Sequence, residues 1–333
     1  MNERHHDMFW TVLVKDGLAY ARPFGMSAAQ MQKQKNEVPF WLLPLIKSMC
    51  YGPTWPDVEL IWRVGGRAAN TPLTLSWSKA YNQSDLLVPS ASSTSLSALR
   101  SGATFMHVPW AQRKPVALWQ GASSMRAPGM PNGDTKRQHQ TRGKLLSICS
   151  NHTDLCDAQL PQHTVYTTPG ADSTNTSETS PMSLAAVMRD AASHKYALLI
   201  DGSPAATHTL PVLFSGSVLV RQMSPSVEFY YSALQPYVHY MPVAPDLSDL
   251  PAVLRWLRAH DKEAQAMAAR TLAWAMAHVT EEAVGCHVAA LVHGLAQRIQ
   301  WQPNATEAYK EWRIAPDRAT RKQINADVGF MCM

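Results

Sequence analysis

The residues best suited to chemistry follow a predicted strand over Lys195–Ile200. That strand ends at Asp201-Gly202, and the small residues 203–207 come next, before a helix expected from Leu210. Small residues let a ligand approach the backbone, and a helix N-terminus presents free amides and a positive dipole. These features suit a diphosphate at the carboxyl edge of a parallel sheet. A tight strand-to-helix turn explains the same residues without a ligand, so both interpretations stay open.

Other chemical motifs are missing from the sequence. It holds no GxGxxG motif, no Walker loop, no Asp-x-Asp and no metal-ligand spacing. Its 5 cysteines fit neither a zinc site nor a redox pair. Cys149 and Cys156 are close enough in sequence to form a short disulfide loop, and five separate thiols are the alternative. We therefore expect no metal.

The elements that must position these residues alternate between strands and helices. A hairpin is expected where Lys15-Asp16-Gly17 separates two apolar runs, and a buried strand over 57–64. Further strands are expected at 73–77, 116–120 and 217–221, with helices at 27–36, 142–149, 183–194, 247–260, 261–278 and 282–297. The alternation predicts an α/β fold with parallel sheets. We expect an N-terminal lobe over 1–112, a C-terminal lobe over 113–300 and a polar tail over 301–333.

Composition narrows the class of protein. The 333 residues are 46% hydrophobic and 17% charged, which is typical of globular rather than disordered chains. The net charge of +5 is spread along the chain and forms no arm for nucleic acid. No apolar run approaches the roughly 20 residues of a membrane span, and no signal peptide is visible at the start. Four N-x-S/T sequons favour a secretory lumen.

The segment from Lys195 to Pro242 carries a resemblance to a known family. Its motifs are Asp201-Gly202, Ala205-Ala206, Gly216-Ser217, Glu228-Phe229-Tyr230, the run from Leu234 to Pro242, and Asp246-Leu247-Ser248. Upstream, Val108-Pro109-Trp110 and Leu118-Trp119-Gln120-Gly121 fit the same pattern. In order and spacing, these motifs resemble the protein O-glucosyltransferases and capsule-associated-protein-like enzymes of glycosyltransferase family 90.

The resemblance implies a GT-B-like fold of two Rossmann-like lobes with a cleft between them. It implies that the C-terminal lobe binds a UDP-sugar such as UDP-glucose or UDP-xylose, and that the N-terminal lobe receives a protein or glycan acceptor. The implied reaction inverts the anomeric centre, uses no metal or other cofactor, and takes place in the lumen of the endoplasmic reticulum or Golgi. A carboxylate then deprotonates the acceptor hydroxyl, and basic groups stabilise the leaving diphosphate.

The resemblance also implies which residues bind the donor. Arg142 corresponds to the arginine that contacts the diphosphate, and Arg126 is a second candidate, with a solvated loop arginine as its alternative. The complete implied set is Gly121, Arg126, Arg142, Gly202, Ser203, Pro204, Ala205, Ala206, Thr207 and His208.

Three positions depart from the family pattern. His208 replaces a usually basic residue and is charged only near or below pH ~6.5. Gln120 replaces an arginine. Gly65 or Gly66 stands where the family has its catalytic aspartate, and glycine cannot act as a base. The catalytic residue is therefore unassigned.

Four other side chains of the N-terminal lobe are considered as the base. The carboxylates are Asp57, Glu59 and Asp85, and His107 is an outsider. Glu59 also has a purely structural interpretation, and the segment 78–85 resembles a family segment in which Asp85 has a structural or acceptor-side role. The sequence thus supports two hypotheses: an active UDP-sugar-dependent O-glycosyltransferase, and an impaired pseudoenzyme that binds a nucleotide sugar or a glycan. A lectin-like domain is a third.

Overall fold

The computed structural model describes residues 8–16, 18–24, 55–64, 73–90, 96–121, 132–159, 184–201 and 208–300. Contacts between Cα atoms divide the chain into two compact units. The first comprises 1–96, 225–231 and 278–333, and the second comprises 97–224 and 232–277. This division differs from the expected lobes. The boundary falls at residue 96 rather than 112, and the last described helix belongs with the N-terminal residues.

The first unit is built on a mixed five-stranded sheet. Its elements are β1 (Met8–Lys15), β2 (Leu18–Phe24), β3 (Val58–Val64), β4 (Thr74–Ser76), β5 (Lys79–Ala80), β6 (Leu86–Leu87), β11 (Ser226–Val227) and α7 (Glu281–Ala296). The strand order is β2-β1-β3-β4-β6, and β11 pairs with β5 separately. The expected hairpin is confirmed: β1 and β2 are antiparallel, and Asp16 between them has a φ of 50°.

The expectation of parallel sheets is wrong for part of the first unit. Strand β1 pairs antiparallel with β3, whereas β3, β4 and β6 run parallel. A two-residue turn can join only antiparallel neighbours, so the hairpin fixes the direction of β2 against β1. The sheet is covered by α7, because Val288, Val292 and Leu295 join Trp10 and Trp62 in one buried cluster.

The second unit holds a fully parallel five-stranded sheet. Its elements are α1 (Leu96–Phe105), β7 (Lys114–Gln120), α2 (Asn132–Asn151), β8 (Cys156–Gln159), α3 (Leu184–Ala192), β9 (His194–Leu199), α4 (Thr209–Leu213), β10 (Val218–Gln222), β12 (Tyr240–Val243), α5 (Leu250–Ala259) and α6 (Asp261–His278). The strand order is β12-β10-β9-β7-β8. The predicted α/β class, with its parallel sheet, is confirmed here.

Helix α2 packs against this sheet through a stripe of side chains. Arg142, Leu145 and Cys149 are buried and follow the i, i+3, i+7 spacing of one helix face. A disulfide joins Cys149 to Cys156 at the start of β8, which decides between the two interpretations of these cysteines. The end of α2 is therefore tied covalently to the edge strand. The helix expected over 27–36 lies outside the described residues.

Candidate donor-binding site

The carboxyl ends of β7, β9 and β10 meet at one edge of the second sheet. Gln222 links this edge internally: its side-chain oxygen accepts from the Asp201 amide at 3.1 Å, and its nitrogen donates to the Pro245 carbonyl at 2.6 Å. The Ser224 hydroxyl donates to the Asp201 carboxylate. Open parallel sheets bind ligands at such an edge. Asp201, which precedes the predicted small-residue loop, is thus held in place by Gln222 and Ser224.

Arg142 reaches this edge from α2. Its side chain is only 9% exposed, its Nε donates to the Asp201 carbonyl at 3.2 Å, and its guanidinium lies over the Trp119 ring. A guanidinium stacked on an aromatic face loses little further freedom when it binds an anion. Arg142 therefore supplies a positioned positive charge where the sequence predicted a diphosphate contact.

His208 lies at the start of α4, beside the same edge. Burial lowers the pKa of His208 below its ordinary 6.5, the hydrogen bond to the Gln120 backbone raises it by less, and the nearby Arg142 charge lowers it further. The imidazole is therefore neutral at neutral pH. Since the hydrogen bond to the Gln120 backbone raises the pKa, it favours the charged ring, and the backbone group must be an acceptor. The imidazole N–H of His208 therefore donates to the Gln120 carbonyl.

Helix α4 is shorter than the sequence suggested. It has 5 residues, Thr209–Leu213, and all of them are buried. The helix dipole is a sum over aligned peptide units, so a helix of this length contributes little positive potential. The Arg142 side chain, rather than the helix, is the stronger source of positive charge among the described residues of the edge.

The Gln120 side chain has its own partners in β8 and α3. Its side-chain nitrogen donates to Asp190 at 3.1 Å and to Gln159 at 3.2 Å, so the amide that replaces the family's arginine stabilises the sheet instead. The next residue, Gly121, packs tightly against Trp119. A Cβ added at Gly121 would lie 2.5 Å from the Trp119 ring. Glycine at 121 is thus required by the indole that supports Arg142.

The candidate carboxylates of the first unit differ in surroundings. Asp57 is paired with Lys15 and accepts from the Asp16 amide at 2.8 Å, and the Lys15 hydrogen bond holds the pKa of Asp57 below its ordinary 3.8. Asp85 is 0% exposed and accepts from the Ser76 hydroxyl at 2.8 Å. Glu59 is partly buried on the face of β3 opposite the core residues Val58 and Leu60.

Several predicted site residues lie outside the described part of the chain. They are Gly65, Gly66, Arg126, Gly202, Ser203, Pro204, Ala205, Ala206 and Thr207. His107 is exposed and belongs to the second unit. Of the predicted donor residues, the structure brings Gly121, Arg142 and His208 together around Trp119 and Gln120. The described residues include no group of three or more His, Cys, Asp or Glu side chains placed to hold a metal ion.

Sequence reasoning missed Gln222 and Ser224. Both contact Asp201 from more than twenty positions along the chain. A polar residue closing the apolar strand Val218–Gln222 was the available signal for Gln222. No local pattern marks Ser224.

Comparison with known proteins adds sequence relatives. Residues 54–328 match the profile of Glycosyl transferase family 90. Protein O-glucosyltransferase 2 of Danio rerio is 27% identical over 240 residues, covering 70% of this chain and 46% of the relative. Protein O-glucosyltransferase 1 of Rattus norvegicus is 24% identical over 220 residues, covering 66% and 50%. The chain thus spans about half the length of these curated relatives.

Solved structures show a distant likeness. The crystal structure of Anabaena HepE in complex with UDP-glucose matches with a TM-score of 0.34 and 9% identity, covering 68% of this chain and 58% of that one. A TM-score of this size supports no conclusion about the site.

Proposed function

The chain belongs to glycosyl transferase family 90, and on this premise we propose that it transfers a hexose or pentose from a UDP-sugar to a hydroxyl of a protein or glycan. The transfer inverts the anomeric centre and needs no metal. The names of the relatives, protein O-glucosyltransferases, support a hydroxyl acceptor and a glucose donor. The observation that carries the proposal is the buried Arg142 guanidinium, held between Trp119 and the Asp201 carbonyl.

The chemistry assigned to the described residues is binding of the leaving group. As the glycosidic bond breaks, negative charge grows on the diphosphate, and a fixed guanidinium stabilises that charge more than it stabilises the intact donor. Arg142 is already ordered by its contacts with Trp119 and Asp201, so little reorganisation is needed. His208 contributes a neutral ring.

Among the described candidates, Glu59 is assigned as the base. The Asp57 carboxylate is neutralised by Lys15, and Asp85 is fully buried. A base must reach the proton that it abstracts, and a low pKa weakens its drive to do so. Glu59 combines partial exposure with a position on the face of β3 opposite Val58 and Leu60.

Asp57 and Asp85 are both held by other residues, and this favours one alternative, a pseudoenzyme that binds a nucleotide sugar without transferring it.

Whether it is a transferase or a pseudoenzyme, we assign the protein to the lumen of the endoplasmic reticulum or Golgi. The Cys149–Cys156 disulfide supports this assignment because disulfides persist in oxidising compartments. None of the helices in the described part of the chain is long and apolar enough to cross a bilayer.

One experiment separates these possibilities. Thermal unfolding of the full chain is followed with and without UDP, beside release of sugar from UDP-glucose and UDP-xylose. Stabilisation by UDP together with sugar release supports the transferase. Stabilisation without release from either donor supports the pseudoenzyme. If UDP causes no stabilisation and no sugar is released, the donor site is assigned wrongly.

A further inference from the structure

An exposed turn of the first unit carries the tripeptide Asn82-Gln83-Ser84. The Gln83 amide donates to the Ala80 carbonyl at 3.0 Å, and the Gln83 side-chain oxygen accepts from the Ala80 amide at 2.7 Å. These two hydrogen bonds close the turn and direct Gln83 inward. The Asn82 and Ser84 side chains are exposed. The sequence N-x-S/T, displayed on a surface turn, is the acceptor for N-linked glycans in secreted proteins.

We propose that Asn82 is a site of N-linked glycosylation. The carboxamide nitrogen of Asn82 attacks the anomeric carbon of a lipid-linked oligosaccharide diphosphate. A C–N bond forms, the C–O bond to the diphosphate breaks, the lipid diphosphate leaves, and the amide releases one proton. This modification is independent of any transferase activity of the chain itself.

The base of the turn is anchored well enough to tolerate a bulky substituent at its tip. The Lys79 ammonium donates to the Asp85 carbonyl at 2.7 Å, and the buried Asp85 carboxylate accepts from Ser76. The Tyr81 amide donates to the Pro225 carbonyl at 3.1 Å. Because these bonds are made by residues on either side of the tripeptide, a glycan on Asn82 displaces none of them.

The disulfide of the second unit gives an independent indication of the compartment. Cys149 and Cys156 are 4% and 2% exposed, and their bond joins α2 to β8 inside the core. Disulfides persist in oxidising compartments such as the lumen of the endoplasmic reticulum, where N-glycans are also added. A chain that forms this bond in the endoplasmic reticulum meets the glycan donor there.

A second described sequon offers a comparison. Asn151 is the last residue of α2, and its tripeptide 151–153 lies inside the loop closed by Cys149 and Cys156. Asn82 instead stands on a turn outside any disulfide loop among the described cysteines. Both asparagines are exposed, so the position of Asn82 outside the disulfide loop makes it the better acceptor of the two.

The test uses the full chain, directed into the secretory lumen of cultured animal cells by a leader peptide. Peptide mapping before and after enzymatic deglycosylation measures occupancy at Asn82. Wild type, Asn151→Gln and Ser84→Thr are expected to carry the glycan at Asn82, because all three retain its sequon. Asn82→Gln and Ser84→Ala are expected to lose it, with unfolding temperatures close to that of deglycosylated wild type.

The proposal is overturned if Asn82 is unoccupied in wild-type protein whose Cys149–Cys156 bond has formed. It is equally overturned if Ser84→Ala retains the glycan, since the sequon would then not be the recognised feature. Neither result bears on UDP binding, so the two proposals fail separately.

Discussion

The guanidinium of Arg142 lies 5.5 Å from the centre of the Trp119 ring, and the two residues come from α2 and β7 of the same unit. The indole is 3% exposed. Arg142 is therefore held at the carboxyl edge of the sheet by a rigid surface and by the Asp201 carbonyl, before any ligand arrives. A cation that is already positioned binds an anion more tightly, because little side-chain freedom remains to be lost on binding.

Replacing Arg142 by alanine is expected to reduce the stabilisation by UDP. A hydrogen bond to a charged group contributes about 1.5–3 kcal/mol, so UDP affinity falls at least about tenfold. Thermal unfolding with graded UDP measures the loss, each variant being compared with its own ligand-free temperature. Arg258→Ala is the matched control, because Arg258 also donates to a backbone carbonyl, that of Pro115 near the amino end of β7, beside its bond to the Asp154 carboxylate. Equal UDP stabilisation in Arg142→Ala and wild type would refute the assignment.

Gly121→Ala is expected to damage the site indirectly. The new Cβ would lie 2.5 Å from the Trp119 ring, so the indole must shift, and Arg142 rests on it. Overpacking of this kind costs about 1–3 kcal/mol. Chemical denaturation should show that loss, and UDP titration a lower affinity. Gly143→Ala is the control, because nothing lies within 4 Å of its added Cβ. A normal UDP affinity in Gly121→Ala would contradict the coupling.

His208→Arg is expected to tighten UDP binding at neutral pH. Burial lowers the pKa of His208 below 6.5, so the wild-type ring adds no charge there. The guanidinium of an arginine at this position carries a permanent positive charge, which should raise the affinity for UDP about tenfold. Calorimetric titration between about pH 5 and pH 8 should show wild-type affinity rising only at the acid end, with His208→Arg nearly flat. His208→Gln should match wild type at about pH 8. No gain in His208→Arg would mean that the side chain does not face the diphosphate.

Asp57→Asn is expected to lower stability in a pH-dependent way. The folded-state pKa of Asp57 lies below 3.8, chiefly through the Lys15 hydrogen bond, so its stabilisation is present above that pH and lost as pH falls through the folded value. Unfolding temperatures of variant and wild type should therefore differ above about pH 5 and converge in acid. The Lys15→Met variant and the double variant complete a cycle that isolates the pair. A difference that persists in acid would refute the ion pair as its cause.

Glu59→Gln is expected to reduce transfer without reducing UDP binding. Loss of a general base typically slows the reaction about 10²–10⁴-fold. Turnover with saturating UDP-sugar measures the effect, and the UDP thermal shift checks that the fold and donor site are intact. Asp57→Asn is the control and should retain turnover within a few-fold. Unchanged turnover in Glu59→Gln would remove Glu59 as the base.

The fold was predictable where a local pattern decides the structure. Alternating residues around Lys15-Asp16-Gly17 predicted the hairpin, and the helix Asp261–His278 was predicted at its observed bounds. The pairing of the strands was not predictable, because an apolar run carries no information on whether the neighbouring strand is parallel or antiparallel to it. Nor does an amphipathic pattern state which sheet a helix covers, so the assignment of Glu281–Ala296 to the first unit was missed.

The site was predictable to the extent that motif resemblance reached it. Arg142 and His208 were named because their segments resemble the donor-binding segments of the family, and donor binding by them stays a prediction. The state of His208 was only partly predictable: its neutral ring depends on burial and on the Gln120 carbonyl. The engagement of Gln120 by Asp190 depends on a partner seventy positions away. Such contacts arise from tertiary packing, which leaves no mark on neighbouring residues.

The discontinuous first unit has a consequence for synthesis on the ribosome. Trp10 and Val292 share one buried cluster, so the apolar face of β1 and β3 stays uncovered until α7 has been translated. Residues 97–224 and 232–277 form the second unit and are complete earlier. The second unit is therefore expected to fold first during synthesis. Until α7 is made, the hairpin of the first unit keeps its apolar face exposed and is prone to bind chaperones.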